Sequence, residues 1–235
     1  DRLRSRGLGD VYKRQDYMLM TAAKNVTRDV SLVFDFIERP YSPVRFKELL
    51  VSPNEMKQKF SRLINEEIKN KQAGKPAYIL IKINHITDPV MVKKLYEASS
   101  HGVRIDLLVR GNCSLITGVP GVSDTIRING IIDRYLEHSR IFIFANGGDE
   151  KMFIGSADWM PRNLDNRVEV IAPVYDPEIK ADLKRVVEYG LKDTLQGRVV
   201  DGTGENRPWI SEDKTAFRSQ EELYKYYLNE NRIKD

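Results

Sequence analysis

The residues best suited to chemistry lie in the middle of the chain, around a single histidine. His138 precedes an apolar run at 141–144, and a second apolar run at 152–154 leads into Gly155-Ser156-Ala157-Asp158. Turn-forming residues separate the two runs, a pattern that predicts two short strands joined in a hairpin. The hairpin would bring the imidazole at the start of one strand close to the small polar loop that ends the other.

Several arginines surround this hairpin. They are Arg134, Arg140, Arg162 and Arg167. A guanidinium stays charged and can hold two oxygens at once, and an imidazole can change its charge near neutral pH. One imidazole, a small-residue loop and several guanidiniums together predict a phosphate ligand.

The composition is that of an ordinary globular protein. The chain has 235 residues, of which 31% are charged and 41% hydrophobic, and its formal charge is +4. This modest charge does not indicate a nucleic-acid partner, and we expect none. The single cysteine, Cys113, favours a reducing compartment, and no run is long and apolar enough to span a membrane. We expect a cytoplasmic protein, with attachment to the surface of the inner membrane left open.

A strand–helix–strand unit precedes the hairpin. The patterns predict a buried strand at 78–83, a helix at 90–100 and a second buried strand at 103–109. Such a unit indicates neighbouring parallel strands, and ligand sites lie beyond the carboxyl ends of such strands. Arg110 follows the second strand directly and is therefore a candidate phosphate ligand.

The flanking segments predict further elements. Helical spacing at 16–37 puts an apolar face on Val26, Val30, Val33, Phe34 and Ile37. The pattern at 44–51 predicts a strand, after which Ser52 is expected to cap a helix. Residues 196–208 are expected to form a polar loop. Residues 1–15 lack apolar periodicity and resemble a translated sequencing adaptor; we treat them as a non-native leader, with a disordered basic arm as the alternative.

Two short motifs resemble half of a phospholipase D-type site. That superfamily uses H-x-K and G-S/T-x-N motifs twice, in halves that face each other. Here His138-Ser139-Arg140 and Gly155-Ser156-Ala157-Asp158 stand in those places. Arg140 replaces the lysine and Asp158 replaces the asparagine, and both departures argue against an ordinary phosphodiesterase.

Longer strings are similar to the C-terminal region of bacterial polyphosphate kinases. They are VSPNEM, LLVRGNCSLI, DRYLEHSRIFIF and NGGDEKMFIGSADWMPRNLDNRVEV. The resemblance runs from residue 16 to the last helix. It implies an α/β fold, a phospholipase D-like sandwich with a mixed, mostly parallel sheet flanked by helices. It also implies that residues 16–50 are the tail of a preceding catalytic domain and 51–235 the second C-terminal catalytic domain.

The resemblance implies an ATP–polyphosphate phosphotransferase. That family reversibly moves the terminal phosphate of ATP to polyphosphate through a phosphohistidine in an H-x-K motif. This motif does not occur in the sequence, so the nucleophile is expected in an upstream domain, and this chain by itself is expected to be inactive. The implied partners are ATP or ADP, polyphosphate, the missing part of the same protein and further copies in a homo-oligomer. Magnesium is implied with ATP.

The resemblance also suggests roles for individual residues. His138 matches the second family histidine, expected to be catalytic, and Arg110 matches an arginine that contacts nucleotide phosphates. Ser156, Asp158 and Glu169 are candidates for orienting their neighbours. Candidates for a cationic polyphosphate channel are Lys82, Arg127, Arg134, Arg140, Lys151 and Arg162. His85 and His101 are assigned structural roles, and Cys113 is expected to be a buried small side chain rather than a reactive thiol.

Two other functions remain open from the sequence. A phospholipase D-like phosphodiesterase or nuclease would be expected to carry lysine at position 140 and asparagine at 158. A polyanion-binding module without catalysis would bind phosphate chains but turn nothing over. Binding without turnover separates that module from the kinase, and cleavage of a phosphodiester indicates the phosphodiesterase.

Overall fold

A computed structural model of the protein describes residues 14–41, 43–210 and 215–232. The helices are α1 Lys24–Glu38, α2 Met56–Gln72, α3 Pro89–Ser100, α4 Pro177–Lys192 and α5 Ser219–Arg232. The strands are β1 Arg14–Gln15, β2 Leu50–Ser52, β3 Tyr78–Ile83, β4 Arg104–Val109, β5 Ile126–Ile131, β6 Leu136–Glu137, β7 Ile141–Phe144, β8 Lys151–Gly155, β9 Glu169–Val174 and β10 Gly197–Val199. A 3-10 turn, Asn146–Gly148, and a π-helical turn, Arg162–Asn166, complete the described elements.

One mixed sheet with the strand order β10-β5-β4-β3-β7-β8-β9-β2 forms the centre of the fold. The predicted α/β fold, a mixed sheet flanked by helices, is confirmed. The expectation that the sheet is mostly parallel is wrong: only β3–β4 and β4–β5 pair in parallel among its described strands. The local strand–helix–strand pattern predicted those pairs correctly. The antiparallel order arises because β7 inserts beside β3 and continues into β8 and β9.

Alternation along β3 separates two cores, one on each face of the sheet. Ile79, Ile81 and Ile83 lie in the cluster with buried residues of α2 and α3, whereas Leu80 lies in the cluster with residues of α4 and α5. Because successive side chains point to opposite faces, Lys82 shares the face of Leu80. This placement decides which partners Lys82 can reach.

The first helix differs from its predicted form. It begins at Lys24 instead of at residue 16, and Val30, Phe34 and Ile37 of the predicted apolar face are exposed. The side that packs inward includes Phe36, whose ring meets that of Phe46 edge-on at 6.3 Å. The spacing identified the helix, but the small cluster that covers it buries a narrower stripe than the sequence indicates.

Two other expectations need correction. Ser52 does not cap a helix: it ends β2, and its Oγ donates to the carbonyl oxygens of Asn163 and Arg167 at 2.7 and 2.8 Å. The strand predicted at 44–51 is confined to β2, at the end of that range. The polar loop predicted at 196–208 contains β10, which pairs with β5.

The ends of the described segments also bear on the predictions. Residues 1–13 of the expected leader lie outside the described residues, whereas Arg14–Gln15 form β1 and pair in parallel with β6. Among the described residues, no helix is long and apolar enough to cross a membrane.

Candidate phosphate-binding site

Five strands place their functional loops at one edge of the sheet, here called the site edge. There β3 and β4 end, β7 begins, β8 ends and β9 begins, as their register shows. The predicted hairpin is confirmed, and the Gly155 amide donates to the Arg140 carbonyl at 3.3 Å beyond the paired residues. Residues far apart in sequence therefore converge on a single loop cluster.

Asp158 is the centre of this cluster. Its carboxylate is buried, and its two oxygens each accept a hydrogen bond from the Arg140 guanidinium at 3.2 Å. Its Oδ1 also accepts from the backbone amide of Asn84 at 3.0 Å. The carboxylate thus joins the loop after β3 to the start of β7. Arg140 and Asp158 are the two departures from the phospholipase D-type motifs, and they form an ion pair with each other.

Arg140 in turn supports His138. Its Nη1 donates to the His138 carbonyl oxygen at 3.0 Å and lies 3.1 Å from the ring Nδ1. The same Nδ1 lies 3.2 Å from the Asp16 carboxylate. The imidazole is half-buried, between a guanidinium and a carboxylate. This setting suits a group that must hold or exchange a proton.

Arg110 joins the same cluster through Asn84. Its Nε donates to Asn84 Oδ1 at 3.2 Å, and the Asn84 backbone amide donates to Asp158. Asn84 is 1% exposed, and its Nδ2 has no hydrogen-bond partner in the described part of the chain. A continuous series of contacts therefore runs from Arg110 through Asn84, Asp158 and Arg140 to His138.

His85 also lies in this cluster, although the sequence reasoning gave it a structural role. Its backbone amide lies 3.4 Å from Asp158 Oδ1, and its ring Nδ1 accepts from the Asn112 amide at 2.9 Å. Burial lowers the pKa of His85; the Asp158 carboxylate opposes this shift, and Arg110 and Arg162 add to it. The signal that could have found it is its position just beyond the carboxyl end of β3, the argument that identified Arg110 after β4.

Ser156 and Glu169 form a second group at the same edge. Ser156 Oγ donates to one carboxylate oxygen of Glu169, and Asn163 Nδ2 donates to the other at 2.6 Å. Glu169 is buried, while Ser156 is exposed. Glu169 therefore joins Ser156 to Asn163 through its two carboxylate oxygens, and the orienting role of Ser156 and Glu169 stays a prediction.

The predicted channel cations are not all exposed at the site edge. Lys82 is buried and paired with Glu137 at 2.9 Å on the face of α4 and α5. Arg127 pairs with Asp106 at 2.7 Å near the opposite edge, where Lys151 begins β8 and is exposed. The exposed candidates near the site edge are Arg134, which precedes β6, and Arg162, which follows the serine loop.

The remaining candidates lie outside the cluster. Cys113 is half-buried against the core, and burial raises the pKa of its thiol, consistent with a packing role. His101 directly follows α3, and its Nδ1 lies 2.8 Å from the Glu97 carbonyl oxygen. Within the described ranges, no group of three or more His, Cys, Asp or Glu side chains is arranged to hold a metal ion.

Comparison with known proteins identifies the family. The family model for polyphosphate kinase C-terminal domain 2 matches residues 49–220. The chain belongs to the polyphosphate kinase family. It is 44% identical to the polyphosphate kinase of Escherichia coli K12 over 211 residues, which is 90% of this chain and 31% of that protein. The polyphosphate kinase of Klebsiella pneumoniae is 45% identical over the same shares of both chains.

The solved structure of a polyphosphate kinase agrees with the family assignment. The crystal structure of polyphosphate kinase from Porphyromonas gingivalis superimposes with a TM-score of 0.86 at 39% identity, covering 91% of this chain and 33% of that one. A phospholipase D family member, Nuc from Salmonella typhimurium, gives a TM-score of 0.47 at 15% identity over 66% of this chain and 97% of that one. The chain spans about a third of the length of the curated relatives it matches.

Proposed function

We propose that this chain is the phosphate-holding part of an ATP–polyphosphate phosphotransferase. The full enzyme would reversibly transfer the terminal phosphate of ATP to polyphosphate through a phosphohistidine supplied by another part of the protein. The observation that carries this proposal is the series of contacts joining Arg110 to His138 at the site edge. Membership of the polyphosphate kinase family supports it.

The site meets the main demands of phosphoryl transfer. That reaction needs in-line positioning and cations aimed at the phosphate oxygens, with little covalent work from the protein. Arg110 would grip oxygens of the nucleotide phosphates, and each well-formed charge-assisted bond contributes about 1.5–3 kcal/mol. His138 would protonate or hydrogen-bond the leaving phosphate. Asp158 fixes both through Asn84 and Arg140.

The other predicted residues take supporting parts in this proposal. Arg134 and Arg162 are exposed near the cluster and would guide a polyanionic chain toward it. Ser156 and Glu169 would shape the loop that faces the phosphate. Lys82 is better explained as half of a buried ion pair that supports this edge from within.

Magnesium would arrive as part of the nucleotide substrate. Phosphate oxygens supply most of the ligands of a nucleotide-bound magnesium ion, and waters supply the rest. A dedicated cluster of carboxylates in this chain is therefore unnecessary for the proposed reaction. Mg–ATP is accordingly the form of nucleotide to test.

The broader arrangement of the enzyme is also a proposal. Residues 16–50 would be the tail of a preceding catalytic domain and 51–235 the second one, with the phosphorylated histidine upstream. The full protein would be a cytoplasmic homo-oligomer, in keeping with the single cysteine. The mutual pairing of Arg140 and Asp158 argues against the phosphodiesterase alternative, because it engages both motif positions with each other.

Calorimetric titration of this chain with sodium tripolyphosphate and with Mg–ATP tests the proposal. We expect Arg110→Ala to weaken tripolyphosphate binding at least about tenfold, the loss of one charge-assisted bond. His138→Ala should weaken binding less, because its main role is proton transfer. Equal binding by the parent and Arg110→Ala would contradict the proposal. Binding of the parent to both ligands with cleavage of a simple phosphodiester would favour the phosphodiesterase instead.

A further inference from the structure

His85 occupies a position at the site edge that the proposed reaction has not yet used. Its backbone amide and that of Asn84 both point to Asp158 Oδ1, at 3.4 and 3.0 Å. Arg110, Arg140 and Arg162 lie close enough to act on the charge of its imidazole. The ring is half-buried, so one side remains accessible from the cluster.

The loop after β4 holds this imidazole in place. The Asn112 amide donates to Nδ1 at 2.9 Å, and the Gly111 amide donates to the Asn84 carbonyl oxygen at 2.8 Å. A Cβ on Gly111 would lie 2.3 Å from the His85 Cε1 atom and 2.6 Å from Nδ1. Glycine at 111 therefore leaves the space that the ring occupies, and a side chain at this position would clash with the ring.

The seating fixes the tautomer. Because Nδ1 accepts a hydrogen bond, the neutral ring must carry its proton on Nε2. Burial and the neighbouring guanidiniums lower the pKa of His85, and the Asp158 carboxylate opposes them. The net pKa is below the usual value, so this neutral form prevails at neutral pH. The hydrogen bonds that His85 forms with described residues use its backbone and Nδ1 and leave Nε2 unused. The ring thus presents one oriented N–H donor among three guanidiniums.

A phosphate oxygen matches this donor. The guanidiniums supply positive charge, and an uncharged N–H adds a directed hydrogen bond without adding repulsion between cations. The buried Asn84 Nδ2, which lacks a partner among the described residues, is a second unused donor beside it. Neutral donors of this kind suit a phosphate group that must be held and released without reacting.

We propose that His85 forms a phosphate-binding subsite with Arg110, in which its Nε2–H donates to an oxygen of a phosphate group that is not transferred. This inference rests on the proposed function of the site edge. It assigns a phosphate ligand to His85, a residue to which the proposed function gives no role. The ligand is a condensed phosphate chain, either polyphosphate or the phosphates of a nucleotide. The subsite would position the chain for reaction at the neighbouring histidine.

Nuclear magnetic resonance of the imidazoles provides a test in which the parent chain itself is titrated. The chain has three histidines, so long-range proton–nitrogen spectra resolve each ring, and His→Gln variants assign them. We expect the Nε2–H tautomer for His85 in the free chain. Sodium tripolyphosphate should shift the His85 ring signals and leave those of His101 unchanged. An unshifted His85 at saturating tripolyphosphate would overturn the subsite.

A matched pair of variants separates ligand binding from loop structure. His85→Gln and His85→Met have similar size and both lose the Nδ1 acceptor, but only glutamine offers an N–H donor near the Nε2 position. We expect His85→Met to bind tripolyphosphate about tenfold more weakly than the parent, as for loss of one hydrogen bond to a charged group, and His85→Gln to recover most of the loss.

Each outcome of this titration has a defined meaning. Equal affinities of the methionine and glutamine variants would overturn the subsite, because the donor would then be irrelevant. If Arg110→Ala weakens binding while both His85 variants bind like the parent, the proposed function survives and only the subsite fails. If the parent does not bind, or Arg110→Ala binds like the parent, the proposed function of this edge fails as well.

Discussion

The site edge of the sheet, where β3 and β4 end, and the far edge, where they begin, both gather lysine and arginine side chains. The far edge carries a groove of about 460 Å³. Its cationic lining consists of Lys47, Lys59, Arg62, Lys151 and Lys180, and its carboxylates are Glu48, Glu66, Asp149 and Glu150. From the number of cationic side chains alone, both edges would be expected to bind phosphate.

What differs is how each edge holds its cations. At the far edge, Lys59 donates to the carbonyl oxygens of Phe46 and Leu49, and burial lowers its pKa. Lys184 pairs with the half-buried Glu150. At the site edge, two buried polar side chains, Asn84 and Asp158, accept hydrogen bonds from Arg110 and Arg140. Buried supports fix the direction of a guanidinium, and fixed direction is what phosphoryl transfer requires.

The largest effect on stability is expected when the carboxylate that supports the site edge is removed. Asp158→Asn leaves the Arg140 guanidinium, which is 12% exposed, without its carboxylate. Removal of one member of a buried pair strands the other charge, so we expect a loss of about 3 kcal/mol in the free energy of unfolding, measured in urea. The double variant Arg140→Met/Asp158→Asn, which leaves no stranded charge, should recover part of it. A loss below about 0.5 kcal/mol would show that the pair does not support this edge.

A matched change at the far edge should lower the free energy of unfolding much less. Lys184→Met removes the partner of Glu150 in a pair whose side chains are 33% and 20% exposed. Water can solvate the remaining carboxylate, so we expect a loss of less than about 1 kcal/mol in the same urea measurement. A loss equal to that of Asp158→Asn would remove the distinction between the two edges.

The smallest expected effect is a pH dependence at the site edge. The pKa of His85 is lowered in the folded protein, while the unfolded chain takes up the proton near pH 6.5. The stability that depends on neutral His85 is therefore fully present above pH 6.5 and is lost as the pH falls through the folded pKa. His85→Gln should lose less stability than the parent between pH 7 and pH 5. His101→Gln, outside the cluster, should follow the parent curve. The prediction fails if the two variants have the same pH profile.

Much of this edge was predictable from local patterns. Strand period, turn residues and the rule for carboxyl ends of parallel strands placed the hairpin and Arg110 correctly. The same rule applies to His85, the second residue after β3, but a lone histidine without a matching motif carried no comparable signal. The series of contacts through Asn84 was not predictable, because it joins loops more than seventy residues apart.

The errors have a common physical cause. The resemblance implied a mostly parallel sheet, and the local pattern could not correct this, because it reveals a crossover unit but not which strand lies on its other side. The pairing of Lys82 with Glu137 was not predictable either, because Glu137 lies in a distant segment that reaches Lys82 only after folding. Its role in a channel stays a prediction. The outer face of α1 was expected to be buried because its residues are apolar. Amphipathic spacing does not reveal how much of a helix its neighbours cover.

The most direct test of the account is to locate a bound phosphate chain on the molecule. Backbone amide signals of the nitrogen-15-labelled chain would be mapped during titration with sodium tripolyphosphate. The account predicts the largest shifts at the site edge, at Asn84, Gly111, Asn112 and the serine loop 155–158. It predicts small shifts in the far groove, at Lys47, Arg62 and Lys151. The largest shifts in that groove, with the site edge unchanged, would contradict the central claim.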